Sequence, residues 1–297
     1  MDQLSPDYYR DESVEAGLLG TKECIEHVRS IDPEFSLVSP VLTPRFAPSC
    51  TQASLEGLGE IHRSTGIPVQ THISENKAEI NLVAAKFPGS KSYAHVYDSA
   101  GLLTPKTILA HAVHLTPEER ALVKERKAKV SHCPASNTAL TSGCCPVRQL
   151  LKEGITVGLG TDVSGGYTSS MLAECREALF VSRHLAMIDK PEVKLSVEEA
   201  LYLATRGSAN VVGLQDRIGG FEVGMDWDAQ MVRLSTVGKD GQLSGTETGA
   251  DAGLVEVFGG ESWEDRVAKW VYTGDDRNTE AVWVKGRLVH SRENFKP

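Results

Sequence analysis

Residues 69–75 read Val-Gln-Thr-His-Ile-Ser-Glu, a short β-rich run that ends in an imidazole and a carboxylate. Runs of the same kind recur along the chain, and each is followed by a longer amphipathic stretch. The five runs span residues 37–46, 69–75, 107–114, 129–137 and 156–162. This alternation of strand and helix predicts an α/β fold built on a parallel sheet.

The residues at the strand ends favour one type of parallel sheet. Periodicity alone fits both an open doubly wound sheet and a closed (β/α)₈ barrel. His72, His111, His132 and Asp162 each stand at the end of a separate predicted strand. In a barrel the carboxyl ends of the strands share one site, and catalytic residues come from several of them. We therefore predict a TIM-like barrel.

Helices and loops follow from caps and composition. Thr116, with Glu119 three residues later, and Ser196 are good N-caps. Residues 235–260 are rich in Gly, Ser and Thr, which predicts a loop. Strand-like pieces at 229–234 and 281–290, the latter with a turn signal at Lys285-Gly286, have no evident partner strands. The predicted helices cover residues 14–28, 51–64, 76–86, 117–126, 169–187 and 196–214.

Composition and charge disfavour several classes of protein. The chain has 297 residues and a formal net charge of −9, which argues against the basic surfaces that bind nucleic acid. No apolar run approaches the ~18 residues of a membrane span, and no signal peptide is evident. The six cysteines form no Cys-x-x-Cys pair, which favours reduced thiols. We therefore expect a cytoplasmic protein without nucleic-acid or membrane partners.

The ionisable strand ends suit a metal. His72, His111 and Asp162 offer imidazole and carboxylate ligands on separate rigid strands, and catalytic zinc sites use three protein ligands and an open position for water. Glu75 lies three residues after His72. Each of these residues alone also has a structural interpretation. A single histidine at a strand end is more often a hydrogen-bonded core or loop residue than a metal ligand. Glu75 alone reads as a carboxylate at a helix N-terminus.

Two other kinds of site fit the sequence less well. His132 and Cys133 are adjacent, so their side chains point to opposite faces of a strand and cannot pair as base and nucleophile. We expect His132 to support the site or a loop. Gly165-Gly166 belongs to no phosphate-binding motif. We predict that these glycines let the backbone turn sharply or approach a ligand.

Six motifs together resemble the guanine deaminases of the amidohydrolase superfamily. The strand-end His, His and Asp are general to the superfamily, whereas Pro-Arg-Phe, Gly-Thr-Asp-Val-x-Gly-Gly-Tyr and Gly-Asp-Asp-Arg-Asn are narrower. The motifs are Thr43-Pro-Arg-Phe46, Thr71-His-Ile-Ser-Glu75, Ala110-His-Ala-Val-His114, Ser131-His-Cys-Pro-Ala-Ser-Asn137, Gly160-Thr-Asp-Val-Ser-Gly-Gly-Tyr167 and Gly274-Asp-Asp-Arg-Asn278.

The resemblance implies a reaction and roles for residues. Guanine would lose its 2-amino group to give xanthine and ammonia, with Zn²⁺ activating the water that attacks C2. His72 and Asp162 would be zinc ligands, and His111 would lie beside the metal as an orienting group or a further ligand. Asp162 would take the proton of the water. Glu75 would shuttle a proton to the ring nitrogen and then towards the leaving amine.

The resemblance also implies substrate contacts and an assembly. Arg45 and Phe46 would contact the purine, and so would His72, His111 and the strand backbone at Val69, Gln70 and Thr71. Members of the family are typically homodimers, which is therefore expected here.

One family motif does not occur in the sequence. The family carries His-x-His on its first barrel strand, where it supplies two further zinc ligands, and no His-x-His occurs in these 297 residues. We therefore expect a barrel that is incomplete at its N-terminus, with strands resembling the fourth to eighth within residues 1–222. Residues 223–297 would return to a small β domain. The activity of the chain could then be impaired. The alternatives to a guanine deaminase are an inactive binding or partner subunit and a related aminohydrolase for another heterocycle.

Overall fold

The first feature of the architecture is a parallel sheet. A computed structural model of the chain describes residues 1–237, 243–244 and 255–292. The sheet has four strands in the spatial order β1-β2-β3-β4, which is also their order along the chain. The predicted parallel α/β arrangement is confirmed. The strands are β1 Val69–Ile73, β2 Thr107–His111, β3 Lys129–His132 and β4 Val157–Leu159.

The predicted run at residues 37–46 is wrong as a continuous strand. Leu42 alone forms an isolated parallel bridge, with Val69 of β1. The run contains Pro40 and Pro44, and proline has no amide hydrogen to donate to a sheet. Backbone hydrogen bonds between this run and the segment of β1 are therefore few: Leu42 donates to Pro68 and accepts from Gln70, and Arg45 accepts from His72.

The predicted strand at residues 129–137 is also too long. β3 ends at His132, and residues Pro134–Ala139 form a helix. Proline is favoured at the first position of a helix, where its missing N–H costs nothing. Pro134 therefore marks a change of structure that β-propensity alone does not reveal.

The helices follow their predicted caps. Thr116 with Glu119, and Ser196 with Glu199, form reciprocal capping boxes. The helix predicted over residues 196–214 is divided by a π-helical turn at Leu203–Gly207 and ends at Val211. The α-helices are α1 Val14–Ile31, α2 Gln52–Thr65, α3 Lys77–Lys86, α4 Tyr93–Ser99, α5 Pro117–Glu125, α6 Pro134–Ala139, α7 Val147–Lys152, α8 Met171–Ile188, α9 Val197–Tyr202, α10 Ser208–Val211 and α11 Trp263–Thr273.

The two closing pieces of strand pair with each other, so the expectation that they have no partner is wrong. β5 (Ala229–Val232) lies antiparallel to β9 (Thr279–Val284), which forms a hairpin with β10 (Arg287–Ser291). The hairpin turns at Lys285 and Gly286, whose φ angles are +50° and +76°, as a two-residue hairpin turn requires. The predicted turn is confirmed.

The Gly-rich segment is not wholly a loop. Three short strands form a second small sheet in the order β7-β6-β8. They are β6 Ser235–Val237, β7 Leu243–Ser244 and β8 Glu256–Val257. The rest of the loop predicted there, residues 238–242 and 245–254, lies outside the described residues.

The parallel sheet is open in the described part of the chain. Its edges are β4 on one side and the Leu42 bridge beside β1 on the other, and these edges do not pair with each other. That the barrel is incomplete at its N-terminus stays a prediction. Across residues 1–237, 243–244 and 255–292, no helix has both the length and the apolar character needed to span a bilayer.

A buried tyrosine fixes the segment that precedes α2 to the sheet. The ring of Tyr97 on α4 is fully buried. Its hydroxyl donates to the carbonyl oxygen of His72 at 2.8 Å and accepts from the backbone N–H of Ala47 at 2.9 Å. The hydroxyl of Thr71 donates to the phenol oxygen of Tyr97 at 2.8 Å. One phenol oxygen therefore sets the position of Ala47 relative to β1.

Replacing Tyr97 with phenylalanine is expected to lower the free energy of unfolding by about 1–3 kcal/mol, because it leaves buried partners of that hydroxyl without a hydrogen bond. Urea unfolding of the purified chain measures the effect. The control is Tyr9→Phe at a side chain that is 59% exposed, where a change below about 0.5 kcal/mol is expected. Equal stability of Tyr97→Phe and the unmodified chain would contradict the assigned hydrogen bonds.

Candidate functional site

The strand ends bring a set of metal-binding side chains together. His72 lies on β1, His111 is the last residue of β2, and Asp162 follows β4. One potential ligand atom from each lies within 4.8 Å of the other two. Parallel strands end at the same edge of a sheet, so residues far apart in sequence meet there. The structure therefore joins the three residues that the sequence indicated.

His111 presents a buried lone pair to this cluster. Its side chain is 1% exposed, and its Nδ1–H donates to Oδ1 of Asn137 at 2.9 Å. Its Nε2 has no hydrogen-bond partner among the described residues. This atom lies 3.8 Å from Oε2 of Glu75 and 3.9 Å from Oδ2 of Asp162. A buried acceptor without a donor, between two carboxylates, is what a bound cation would satisfy.

His72 is held in the same way. Its Nδ1–H donates to the carbonyl oxygen of Arg45, which leaves Nε2 to act as a ligand. The rings of His72 and His111 stack, with centroids 5.1 Å apart and planes 23° from parallel. A hydrogen bond at one ring nitrogen fixes the tautomer and orients the other nitrogen towards a metal. Both imidazoles therefore fit metal ligation.

Serine hydroxyls orient the two carboxylates. Ser136 donates to Oδ2 of Asp162 at 2.6 Å, and Ser142 donates to Oε1 of Glu75 at 2.7 Å. The carboxylate of Glu75 therefore has its second oxygen directed at His111. The side chains of Glu75 and Asp162 are 16% and 30% exposed, so both remain accessible to a small molecule.

The backbone around the cluster is strained. Ser74, His111, Ala112 and Asp162 all have positive φ, at +48°, +71°, +51° and +44°. Non-glycine residues in this region cost about 1–3 kcal/mol each and concentrate at functional sites. At Gly165 an added Cβ would lie 2.6 Å from Oδ2 of Asp162. A larger residue there would therefore have to displace the carboxylate of Asp162.

The predicted substrate-contact residues fall into two groups. The Phe46 ring packs edge-on against His72 with centroids 6.5 Å apart, and the Arg45 guanidinium lies 5.7 Å from the centroid of Phe46. Gln70 alternates with buried neighbours on β1, so its side chain shares the face of His72. The side chains of Val69 and Thr71 are buried on the opposite face. The predicted contact of their backbone with a purine stays a prediction.

His132 and Cys133 do not form a nucleophilic pair. Burial, with a smaller contribution from His111, lowers the pKa of His132 to about 3. Burial raises the pKa of the Cys133 thiol to about 12, so the reactive thiolate is disfavoured. These environments agree with the argument against cysteine catalysis.

Several residues that support the site were not predicted from the sequence. Ser136 and Asn137 lie on α6 and contact Asp162 and His111 respectively. Glu174 on α8 accepts the backbone N–H of Ala135 at 3.2 Å, which ties α6 to α8. Ser136 and Asn137 stood in a recognised motif, but nothing local showed their partners. Glu174 had no signal beyond its place in an otherwise largely apolar helix.

The buried carboxyl of Glu174 predicts a dependence of stability on pH. Burial is the main cause that raises the pKa of Glu174 to about 7, above its value of about 4.3 in an unfolded chain. The stability contributed by the protonated carboxyl is thus fully present below about pH 4.3 and is lost as the pH rises through about 7. Between pH 5.5 and 8, urea unfolding should show the unmodified chain losing about 2 kcal/mol relative to Glu174→Gln.

Glu23→Gln is the matched control for this experiment, since Glu23 is exposed. It should have the same pH dependence as the unmodified chain. A Glu174→Gln profile parallel to that of the unmodified chain would show that the carboxyl does not titrate in this range.

Comparison with known proteins identifies the family of the chain. The model of the amidohydrolase family matches residues 19–289. The chain belongs to the amidohydrolase family. It is 49% identical to a probable guanine deaminase of Schizosaccharomyces pombe, over 99% of this chain and 53% of that protein. The amidohydrolase chain described here thus spans about half the length of that relative.

Solved structures extend the match to the fold. A structure of E. coli guanine deaminase superposes with a TM-score of 0.84 and 30% identity, covering 99% of this chain and 64% of that one. A crystal structure of guanine deaminase from C. acetobutylicum with guanine in its active site has a TM-score of 0.83 and 33% identity, covering 98% of this chain and 64% of that one. The predicted resemblance and fold class are confirmed.

Proposed function

We propose that this amidohydrolase takes part in the hydrolytic deamination of guanine to xanthine and ammonia, with Zn²⁺ as its metal. The observation that carries the proposal is the convergence of His72, His111, Asp162 and Glu75 in one cluster. The likeness to proteins named guanine deaminase supports the choice of substrate.

The donors of the cluster suit the proposed metal. Zinc binds both imidazole nitrogen and carboxylate oxygen, and three protein ligands leave a position for water. In this proposal His72 and Asp162 hold the metal, and His111 lies against it as a third donor or as a polarising group. The metal, when bound, supplies a Lewis acid that makes water nucleophilic near neutral pH.

The carboxylates of the chain would then move the protons. Asp162, oriented by Ser136, accepts a proton from the attacking water as its oxygen bonds to C2 of guanine. Glu75, held by Ser142, takes the other proton of the water and passes it to the ring nitrogen, and then relays the proton held by Asp162 to the amino group. The bond from C2 to that nitrogen breaks, and ammonia leaves. Xanthine remains.

Guanine would lie beside β1 in this proposal. Phe46 offers an aromatic edge next to His72, and Arg45 offers a cation above the ring of Phe46. Gln70 shares the face of His72 and can present an amide to the base. The backbone from Val69 to Thr71 would complete the contact.

The organisation of the whole protein is also a proposal. Residues 1–222 would carry the barrel part with the cluster, and residues 223–297 the small β domain. A homodimer and a cytoplasmic location are proposed from the family resemblance alone. Sedimentation analysis of the purified chain tests the dimer.

A second function is supported by one observation. The 297 residues contain no His-x-His, so two of the ligands that the family resemblance implies do not occur in them. A water at the three described donors would then be less well positioned for attack. A protein that binds a purine without turnover would follow.

Comparing guanine with adenine, adenosine and a triazine as substrates of the zinc-loaded chain tests the proposal. We expect xanthine and ammonia from guanine, with kcat/KM at least about 100-fold above that for the others. Guanine binding without release of ammonia would favour the binding protein. Preferred turnover of another heterocycle would identify a related aminohydrolase instead.

A further inference from the structure

A cavity lies in the helix layer, and none of the residues that line it belongs to the cluster of His72, His111 and Asp162. Its volume is about 340 Å³, and it lies between α7, α8 and residues 189–195. Small-molecule sites are typically of about 300–1,000 Å³, so the cavity is large enough for a compact organic ligand. The proposed deamination makes no use of it.

His132 gives the cavity a polar inner end. Its ring is fully buried and lines the cavity. Both of its nitrogens have no hydrogen-bond partner among the described residues. A neutral imidazole has one donor and one acceptor, and leaving such groups unpaired in the interior costs about 1–3 kcal/mol each. A hydroxyl group placed in the cavity could satisfy either of them.

The charged residues that line the cavity are exposed or half-buried, and the apolar ones are buried or half-buried. Of the described residues that line it, Arg148, Lys152 and Lys190 are basic and Asp189 alone is acidic. Arg148 is already paired with Glu199, whereas no ion pair is found for either lysine in the described part of the chain. The apolar wall is formed by Val147, Ala178, Val181, Leu185, Val193 and Leu195.

We propose that this cavity binds a small amphipathic carboxylate that carries a hydroxyl group. The hydroxyl bonds to His132, the apolar body packs against the walls from α7 and α8, and the carboxylate pairs with Lys152 and Lys190. Charge complementarity selects an anion over a cation, since the unpaired lysines outnumber the one acidic side chain. The apolar wall excludes a fully hydrated ion such as phosphate.

Titration calorimetry with 4-hydroxyphenylacetate tests the site in the full chain. The compound has a phenol, a ring and a carboxylate, and we expect a Kd below about 1 mM. The double variant Lys152→Ala/Lys190→Ala should weaken binding at least tenfold, and Val193→Trp, which fills the cavity, should abolish it. The ring nitrogens of His132 should shift in NMR spectra when the compound is added.

Matched variants separate this site from general charge and from the metal cluster. Lys86→Ala/Lys91→Ala removes two exposed lysines elsewhere and should leave the Kd unchanged. Glu75→Gln should also leave it unchanged, so failure of the proposed deamination does not affect the result. The proposal would be overturned if no heat of binding is measured at a 4-hydroxyphenylacetate concentration tenfold above about 1 mM. Binding that persists in both cavity variants would overturn it as well.

Discussion

Replacing Glu75 with glutamine is expected to lower kcat for guanine hydrolysis about 1,000-fold, within the range that a positioned proton-transfer group contributes. Glutamine keeps the size of the side chain and can still meet the hydroxyl of Ser142, which donates to Glu75 at 2.7 Å. It cannot accept and release a proton. The loss should therefore fall on kcat, with KM and the zinc content nearly unchanged.

Steady-state assays of purified, zinc-loaded protein measure this effect, with Glu23→Gln as the control at an exposed position. The control should retain full activity. An unchanged kcat in Glu75→Gln would remove Glu75 from the proton shuttle. A parallel loss of zinc would instead indicate that Glu75 acts through the metal.

Replacing His72 with alanine is expected to reduce bound zinc from about one equivalent to less than about a tenth, and to abolish turnover. Losing a ligand should cost more than the 10–100-fold in metal affinity that is typical of changes to groups outside the ligand shell. His72 is one of three donors whose atoms lie within 4.8 Å of each other, so the remaining two would hold the ion weakly. Metal analysis after gel filtration measures the change.

His27→Ala is the matched control for metal binding. His27 is an exposed histidine on α1, outside the cluster, and its removal should leave both zinc and turnover unchanged. Full zinc content in His72→Ala would show that the metal is held elsewhere.

The cluster could be predicted from sequence because its information is local. Each of His72, His111 and Asp162 ends a β-rich run, and the geometry of parallel sheets then brings strand ends to one edge. The capping boxes at Thr116 and Ser196 were predictable for the same reason, since each involves residues three positions apart.

The supporting contacts could not be predicted because their partners are distant in sequence. Asn137 and His111 are 26 residues apart, and Ser142 and Glu75 are 67 apart. The pairing of β5 with β9 joins segments about 50 residues apart in the same way. No periodicity indicates such partners, so the orientation of the imidazoles and carboxylates emerged only from the structure.

The proline errors have a different origin. Pro44 and Pro134 lie within β-rich runs that propensity treats as strands, yet proline cannot donate to a sheet. The consequence at Pro134 is functional, because α6 begins there and carries Asn137 and Ser136 to the cluster. Proline at the first position of a helix is common, so Pro134 itself indicates the helix that follows β3.

Anomalous X-ray scattering at the zinc edge, from crystals of the zinc-loaded chain, tests whether His72, His111 and Asp162 hold the metal. We expect one peak per chain, within about 2.0–2.2 Å of Nε2 of His72 and an oxygen of Asp162, with Nε2 of His111 facing it. A chain with no peak, or with zinc bound away from these three side chains, would show that they do not form the metal site.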